Sequence, residues 1–436
     1  MGDTSTALIA VGGLAAAVTA VLVLRAAPRV TVVVWLLVLC FVPIWVGVSV
    51  GPFWSAITLV TILAIVTCSG SIELSPADGF MAAFFVLVIA QYALGMTSLA
   101  GAVSAVTEWL IPYLWGRLVL IRVSQEFLFR AIAVIAGAAA ALALVEAFTG
   151  TNLFALITFG SDSLASVWAP LQPRGGLIRA EGAFGHSIAL GASLSLATAF
   201  VLATKWRILV KLALLIVIAA AIVMTLSRIG LVTFVITVAL SVLVLPGLSR
   251  GARLLTAAMG IVAATVIVPF IGRVFLEAGT EAGGSADYRL DLFSVLQVLR
   301  PVGAAPDITG LTVNGDYLGS FARSIDNALL VTAMRVGWAP TLLLIVVLLC
   351  ITLPLVRRGG ANAASIAIAA QIPGLFAVAF ITQYSTFFWF TVGLAVSLNM
   401  AARRQPEPGG IPHASHFAEP LTSPALLPAP TRGGSR

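Results

Sequence analysis

Arg179, Glu181 and His186 fall within one short stretch of an otherwise apolar chain, IRAEGAFGHSIALG, residues 178–191. A guanidinium stays charged at any ordinary pH and grips phosphate oxygens with paired hydrogen bonds. A carboxylate or an imidazole can take a proton from a hydroxyl. More residues of these types follow: Arg228 in TLSRIG (225–230), Arg289 in DYRLDLFSVLQVLRP (287–301), Arg323 just before SIDNALL (324–330), Asp326 and Asn327 within it, and Arg335 beyond it. Together they suit an anionic, phosphate-bearing ligand and a proton acceptor. The plainer alternative pairs each arginine with a nearby acid: Glu181, Asp287, Asp291 or Asp326. Gly182, Gly185 and Gly191 allow a tight loop-to-helix passage, and a helix starting near Ser187 would aim free N–H groups at an anion. On the plainer reading His186 only caps that start, and Asp326 or Asn327 caps the next one. Arg335 and Glu146 both lie inside apolar runs, so Glu146 is the expected partner of Arg335.

The elements that must position these groups are helices in a bilayer. Of 436 residues 60% are hydrophobic and only 9% charged, against roughly a quarter charged in a soluble domain. Apolar runs of about 18–25 residues recur, each long enough to span as a helix. The ten-residue alternation of a barrel strand is absent. The expected fold is therefore all-α, a polytopic transmembrane bundle. A net charge of +7 would suggest nucleic acid in a soluble protein; here the basic residues mark cytoplasmic loops, and no nucleic-acid partner is expected. Cys40, Cys68 and Cys350 all lie in apolar runs, without disulfide or metal spacing.

Spans are expected near 6–24, 30–50, 53–69, 79–96, 99–119, 127–148, 185–204, 207–225, 229–247, 254–275, 327–355, 362–382 and 386–402. Basic clusters at Arg25/Arg29, Arg117/Arg122, Lys205/Arg207/Lys211, Arg250/Arg253, Arg357/Arg358 and Arg403/Arg404 should all lie inside. An even number of spans must then separate any two clusters. That requirement keeps 99–119 as a span, bent at Pro112, although it carries Glu108. The result is about 12–13 spans over residues 1–402, with large outer loops near 149–184 and 273–326. Residues 403–436, rich in Pro, Gly and Ser, read as a disordered cytoplasmic tail holding His413 and His416. In 287–301 the spacing of Leu292, Phe293, Leu296 and Leu299 predicts a short interfacial helix.

Three landmarks occur in order: R-x-E-G-A-F-G-H running into a glycine-rich span, T-L-S-R-I-G between two later spans, and a large loop ending in D-N-A-L-L before V-G-W. In this the chain resembles the O-antigen ligase and O-antigen polymerase family of bacterial membrane glycosyltransferases. The resemblance covers roughly residues 80–400 in topology. It implies an enzyme of the bacterial cytoplasmic (inner) membrane. Such an enzyme takes a glycan from a polyprenyl-pyrophosphate-linked donor and transfers it to a glycan or lipid-glycan acceptor on the outer side. It does so with inversion and without a metal or other cofactor. Envelope polysaccharide assembly proteins are then possible partners, and the C-terminus is cytoplasmic. By position Arg179 and Arg228, and more weakly Arg289, match the arginines that hold the pyrophosphate. Glu181, Arg323, Asn327 and Arg335 are secondary candidates. Ligases of the family place a histidine where this chain has Asp326, and often an acid where it has Arg335. The proton acceptor is then Asp326 or His186, and a polymerase-like enzyme fits better than a ligase. Two other readings compete: a flippase or transporter for the same lipid-linked oligosaccharide, and a noncatalytic envelope-assembly partner.

Overall fold

The computed structural model describes residues 18–174, 176–277, 292–306, 312–313, 316–317, 325–356 and 360–404. The first part of the expected first span, Asp287, Arg289, Asp291, Arg323 and the tail with its two histidines lie outside them. The described chain is overwhelmingly helical, with three two-stranded hairpins as its only sheets among the described residues. Among the described residues four helices are long and apolar enough to cross a membrane: Pro76–Ala93, Gln125–Thr149, Trp338–Val356 and Thr382–Arg404. A fifth arises if Val18–Ala26 and Pro28–Phe41, bent by 115°, count as one span.

Two helices form the centre. Ser187–Ala203 is buried almost all round, and so is Thr382–Arg404 from Gln383 to Asn399. Apolar residues on every face are what a fully enclosed helix requires. Polar side chains tie the centre together: Gln371 Nε2 donates to Ser195 Oγ at 3.3 Å, Tyr384 OH to Gln371 Oε1 at 3.1 Å, and Ser195 meets Thr237 at 3.3 Å. Away from water such bonds link helices that apolar contact alone would leave free to slide. Around Trp35, Trp115 and Phe390 the core is aromatic, with ring centroids 4.4–6.3 Å apart.

The helix Ile111–Arg122 lies directly against Thr382–Arg404 through glycines. A Cβ on Gly116 would stand 2.0 Å from the Phe390 carbonyl oxygen, and one on Gly393 2.1 Å from that of Tyr113. Neither backbone can yield without parting the helices. Gly116→Ala is therefore expected to destabilise the fold by about 1–3 kcal/mol, as overpacking does. A lowered melting temperature of the purified variant would show it; an unchanged one would mean that the two helices are free to separate.

The helices Gln125–Thr149, Ser187–Ala203 and Ile208–Met224 run between two ends of the bundle. At one end gather basic residues: Arg122 donates to the Thr67 carbonyl at 3.0 Å, Lys205 N–H meets Glu126 at 3.2 Å, Arg29 lies over the Phe127 ring, and Arg404 pairs with Glu73. The helix Gln125–Thr149, 25 residues and so ~37 Å long, leads from there to the other end. At that end Glu146, the 179–187 loop, Met224 and Gln383 meet. Arg117 is locked at the basic end, 4% exposed, with both Asp78 oxygens at 2.8 and 3.0 Å.

Three expectations need correction. The span expected at 30–50 ends at Phe41; Gly47–Ser49 and Phe53–Ser55 form a hairpin instead, because Pro43, Gly51 and Pro52 interrupt the helix. Trp45 at its base pins the first large loop, donating to the Ile157 carbonyl at 2.8 Å and accepting the Ser161 N–H at 2.8 Å. The single span expected at 327–355 breaks at Gly337, φ +91°, into Ala328–Val336 and Trp338–Thr352. Segment 300–305 fills the break, with Trp338 N–H bonded to the Arg300 carbonyl and Ala339 N–H to that of Pro301. The third is the interfacial helix, whose described part, Leu292–Val298, is a 3-10 turn. Its tighter period buries Val295 against Ile325 and Leu330 and leaves the expected Leu296 exposed. Segment 99–119 carries a π-helical stretch, Ala105–Leu110, just before Pro112. A wide turn there accommodates the missing proline N–H.

Candidate functional site

At the end opposite the basic cluster, five chain segments converge. The helix Ile208–Met224 ends there and Arg228–Val244 begins, joined by Thr225, Leu226 and Ser227. Ser227 caps the second helix, accepting the Gly230 N–H at 3.2 Å. Leu226 takes a left-handed φ of +50°, a conformation costly for leucine that persists only under tight constraint.

The constraint is the arginine loop. Ala180 N–H donates to the Met224 carbonyl at 3.0 Å, Arg179 Nε to the Thr225 carbonyl at 3.0 Å, and Arg174 Nη1 to the Leu226 carbonyl at 3.1 Å. Two cations thus satisfy carbonyls left open where a helix ends. The first two landmarks, R-x-E-G and T-L-S-R, are therefore in direct contact. Arg228, exposed, opens the second helix at this contact. The helices beginning at Ser187 and Arg228 touch backbone to backbone, since a Cβ on Gly230 would lie 3.2 Å from Gly191 Cα. Two helix N-termini, each with partial positive charge, stand side by side.

His186 caps the first of them. Its Nδ1 accepts the Ile188 N–H at 3.2 Å, and its ring meets Trp168 edge-on at 5.9 Å. Burial, then the charges of Arg179 and Arg174, hold the imidazole down at about 4. It is neutral at physiological pH, with Nδ1 engaged, so its free nitrogen, Nε2, carries the hydrogen and is a donor. Asn327 caps the helix from Ala328, with Oδ1 accepting the Leu330 N–H at 2.9 Å. Asp326 is exposed beside it and near enough to act on the Arg179 charge.

Arg179 is 5% exposed. Burial first, then Arg174, lower its pKa to about 10, against the pull of Glu181 and Asp326; it stays charged. Its Nη2 is buried without a hydrogen-bond partner among the described residues. Glu181 is wholly buried, and among the described residues neither carboxylate oxygen closes a hydrogen bond of good geometry, although the Gln172 amide lies close enough to favour its charge. Burial and the nearby Glu146 push it up to about 8, outweighing the Gln172 amide and Arg179. Such orphaned polar atoms are rare in native interiors and call for a ligand, a water or an ion.

The structure brings Arg179, Glu181, His186, Arg228 and Asp326 to one end of the bundle. Arg335 lies apart, and the acid whose charge faces it is Glu108. Glu146 is not its partner, because that carboxylate is taken by the backbone amides of Glu181 and Gly182 at 3.0 and 2.8 Å. Arg174 was missed: it sits in QPRGG, where nothing local separates it from a surface arginine.

The chain is thus a helical protein whose longest apolar helices are of membrane-crossing length, with a cationic, partly unsatisfied cluster at one end. Comparison with models of known protein families, with curated proteins and with solved structures found no match.

Proposed function

We propose that the protein is a membrane glycosyltransferase acting on a polyprenyl-pyrophosphate-linked oligosaccharide, polymerising or ligating surface polysaccharide by inverting transfer. The observation that carries this reading is the contact between the Arg179 loop and the Thr225–Arg228 turn, with Arg179 Nη2 buried and unsatisfied among the described residues. Arg179, Arg174, Arg228, the His186 Nε2–H and two helix N-termini supply positive charge and donors from several directions, which suits a pyrophosphate. Basic side chains gathered at the opposite end support an orientation with that end in the cytoplasm and the site outside. On this reading the bundle crosses the cytoplasmic membrane about 12–13 times. The helices around the site are short, 13–17 residues or ~20–26 Å, against ~30 Å of hydrocarbon. The polar turns between them are then recessed within protein, where irregular backbone is tolerated at membrane depth.

The acceptor hydroxyl attacks the anomeric carbon, the new C–O bond forms as the bond to pyrophosphate breaks, and the hydroxyl proton passes to a base. Asp326 is that base: it is exposed and faces Arg179, whereas His186 has its one acceptor nitrogen occupied. Neutralising the departing pyrophosphate and holding both sugars in place supply most of the rate. Asp326→Asn is expected to cut transfer by about 100-fold or more while donor binding persists; full activity in that variant and loss in His186→Ala would move the role to His186. Because arginines carry the counter-charge, transfer should continue in EDTA. Loss of activity that Mg²⁺ restores would overturn that part of the mechanism.

The deciding assay supplies polyprenyl-pyrophosphate oligosaccharide to the purified protein in liposomes. Lengthened glycan means a polymerase, and one transfer to a different acceptor means a ligase. Lipid moved across the bilayer without new glycan would replace the enzyme reading with a transporter.

A further inference from the structure

Glu146 closes an otherwise apolar helix face and is 4% exposed. No cation pairs with it among the described residues. Instead its two oxygens take the N–H groups of Glu181 and Gly182 at 3.0 and 2.8 Å. Asn152, just past the same helix, donates to the Gly182 carbonyl at 3.0 Å, and Gln383 donates to that of Ala183 at 3.0 Å. The main chain two to four residues beyond Arg179 is therefore gripped from two helices. Amide bonds to a carboxylate are charge-assisted and hold the turn independently of the loop's own side chains.

What this grip maintains is a separation. Glu181 and Arg179 are both buried, each acts on the other's charge, and neither completes its hydrogen bonds among the described residues. Yet no ion pair joins them among the described residues. At low dielectric an ionised carboxylate free to turn would close on that guanidinium. The charged groups that act on Glu181 are Glu146 from the helix Gln125–Thr149 and Arg179 from its own loop; Arg174 and Asp326 act in turn on Arg179, and His186 is neutral. Glu146 is the only one of them that opposes ionisation of Glu181 from direct contact with its backbone.

We propose that Glu146 is a positioning residue of the anion site: it fixes the turn bearing Arg179 and keeps Glu181 from capturing the free guanidinium nitrogen, which stays available to a phosphate oxygen. This rests on the reading of Arg179 as a phosphate ligand. Deprotonation of Glu181, at a pH of about 8, then competes with the ligand for Arg179.

The test is calorimetric binding of inorganic pyrophosphate to the detergent-solubilised full chain, at pH values on either side of 8. Wild type should lose affinity by up to about tenfold per pH unit above the midpoint, as a coupled deprotonation requires. Glu181→Gln should show only the titration of pyrophosphate itself. Glu146→Gln keeps the size and loses the charge together with one of the two amide acceptors; its midpoint should drop by about one pH unit, so that its affinity falls about twofold near neutrality and about tenfold above the wild-type midpoint. The double variant, Glu146→Gln with Glu181→Gln, should regain most of the affinity, because no carboxylate remains to take Arg179. A purely structural role for Glu146 predicts no such rescue. Wild-type binding with an unchanged pH profile in Glu146→Gln, or no recovery in the double variant, would overturn the proposal. Absence of pyrophosphate binding by wild type would instead overturn the reading of the site beneath it.

Discussion

Arg179→Ala is expected to lose pyrophosphate binding and glycan transfer by about 100-fold or more while the protein still folds. Arg179 plays two parts that this variant removes together. Through Nε it satisfies the Thr225 carbonyl at a helix end, worth about 1 kcal/mol or less to the fold. Through Nη2 it presents a buried charge with no partner among the described residues. Donors preorganised in a dry site are worth ~2.7–4 kcal/mol each in transfer reactions, far more than the same contact in water. The second part should therefore dominate, and the melting temperature should move little. Arg179→Lys separates the two. It keeps a charge but cannot hold the Thr225 carbonyl and an oxygen of the ligand in one rigid fork, so it should recover only a small part of the loss. Binding and transfer assays beside thermal melting check this. Wild-type affinity in Arg179→Ala would remove the phosphate clamp, and unfolding of both variants would reduce Arg179 to a helix cap.

Asp78→Ala should have the largest effect on stability. Asp78 receives Arg117 through both oxygens, the Tyr113 hydroxyl at 2.6 Å and the Ser75 N–H at 2.7 Å. Arg117 also reaches Ser397 at 2.8 Å and the Glu73 carbonyl at 2.6 Å. One pair thus ties the start of the helix Pro76–Ala93 to Ile111–Arg122 and to the end of the central helix Thr382–Arg404. Removing the carboxylate leaves a guanidinium and a phenol buried without their acceptor, at a cost of about 3–5 kcal/mol. The double change Asp78→Ala with Arg117→Met should recover much of it, because no charge is then stranded. Thermal melting and the yield of folded protein measure both. The fraction that folds should bind pyrophosphate normally, because this cluster lies at the end of the bundle away from the site. Selective loss of ligand affinity at full stability would mean that the two ends are coupled.

Helical structure, the order of the apolar runs and the stretches that carry ionisable groups follow from the amino-acid pattern alone. Ser187 begins a helix as expected, and Asn327 caps one, because an Asn or His before an apolar run and the glycines preceding it act over a few residues. Segment 99–119 turns π-helical just before Pro112, a local response to the proline. Breaks were harder. The Pro43–Pro52 region and Gly337 each lie inside a run whose hydropathy continues across them, and hydropathy does not register φ. Tertiary structure alone decided which groups meet. Arg179 reaches a carbonyl 46 residues away, and Glu146 takes amides 35 and 36 residues away. Those acceptors and donors belong to the backbone, which is the same at every position, so no residue type announces them. The burial of Glu181, the neutrality of His186 and the orphaned nitrogen of Arg179 arise in the same way. Each depends on how much water the packed helices exclude, a property of the assembled bundle and not of any one stretch of its chain.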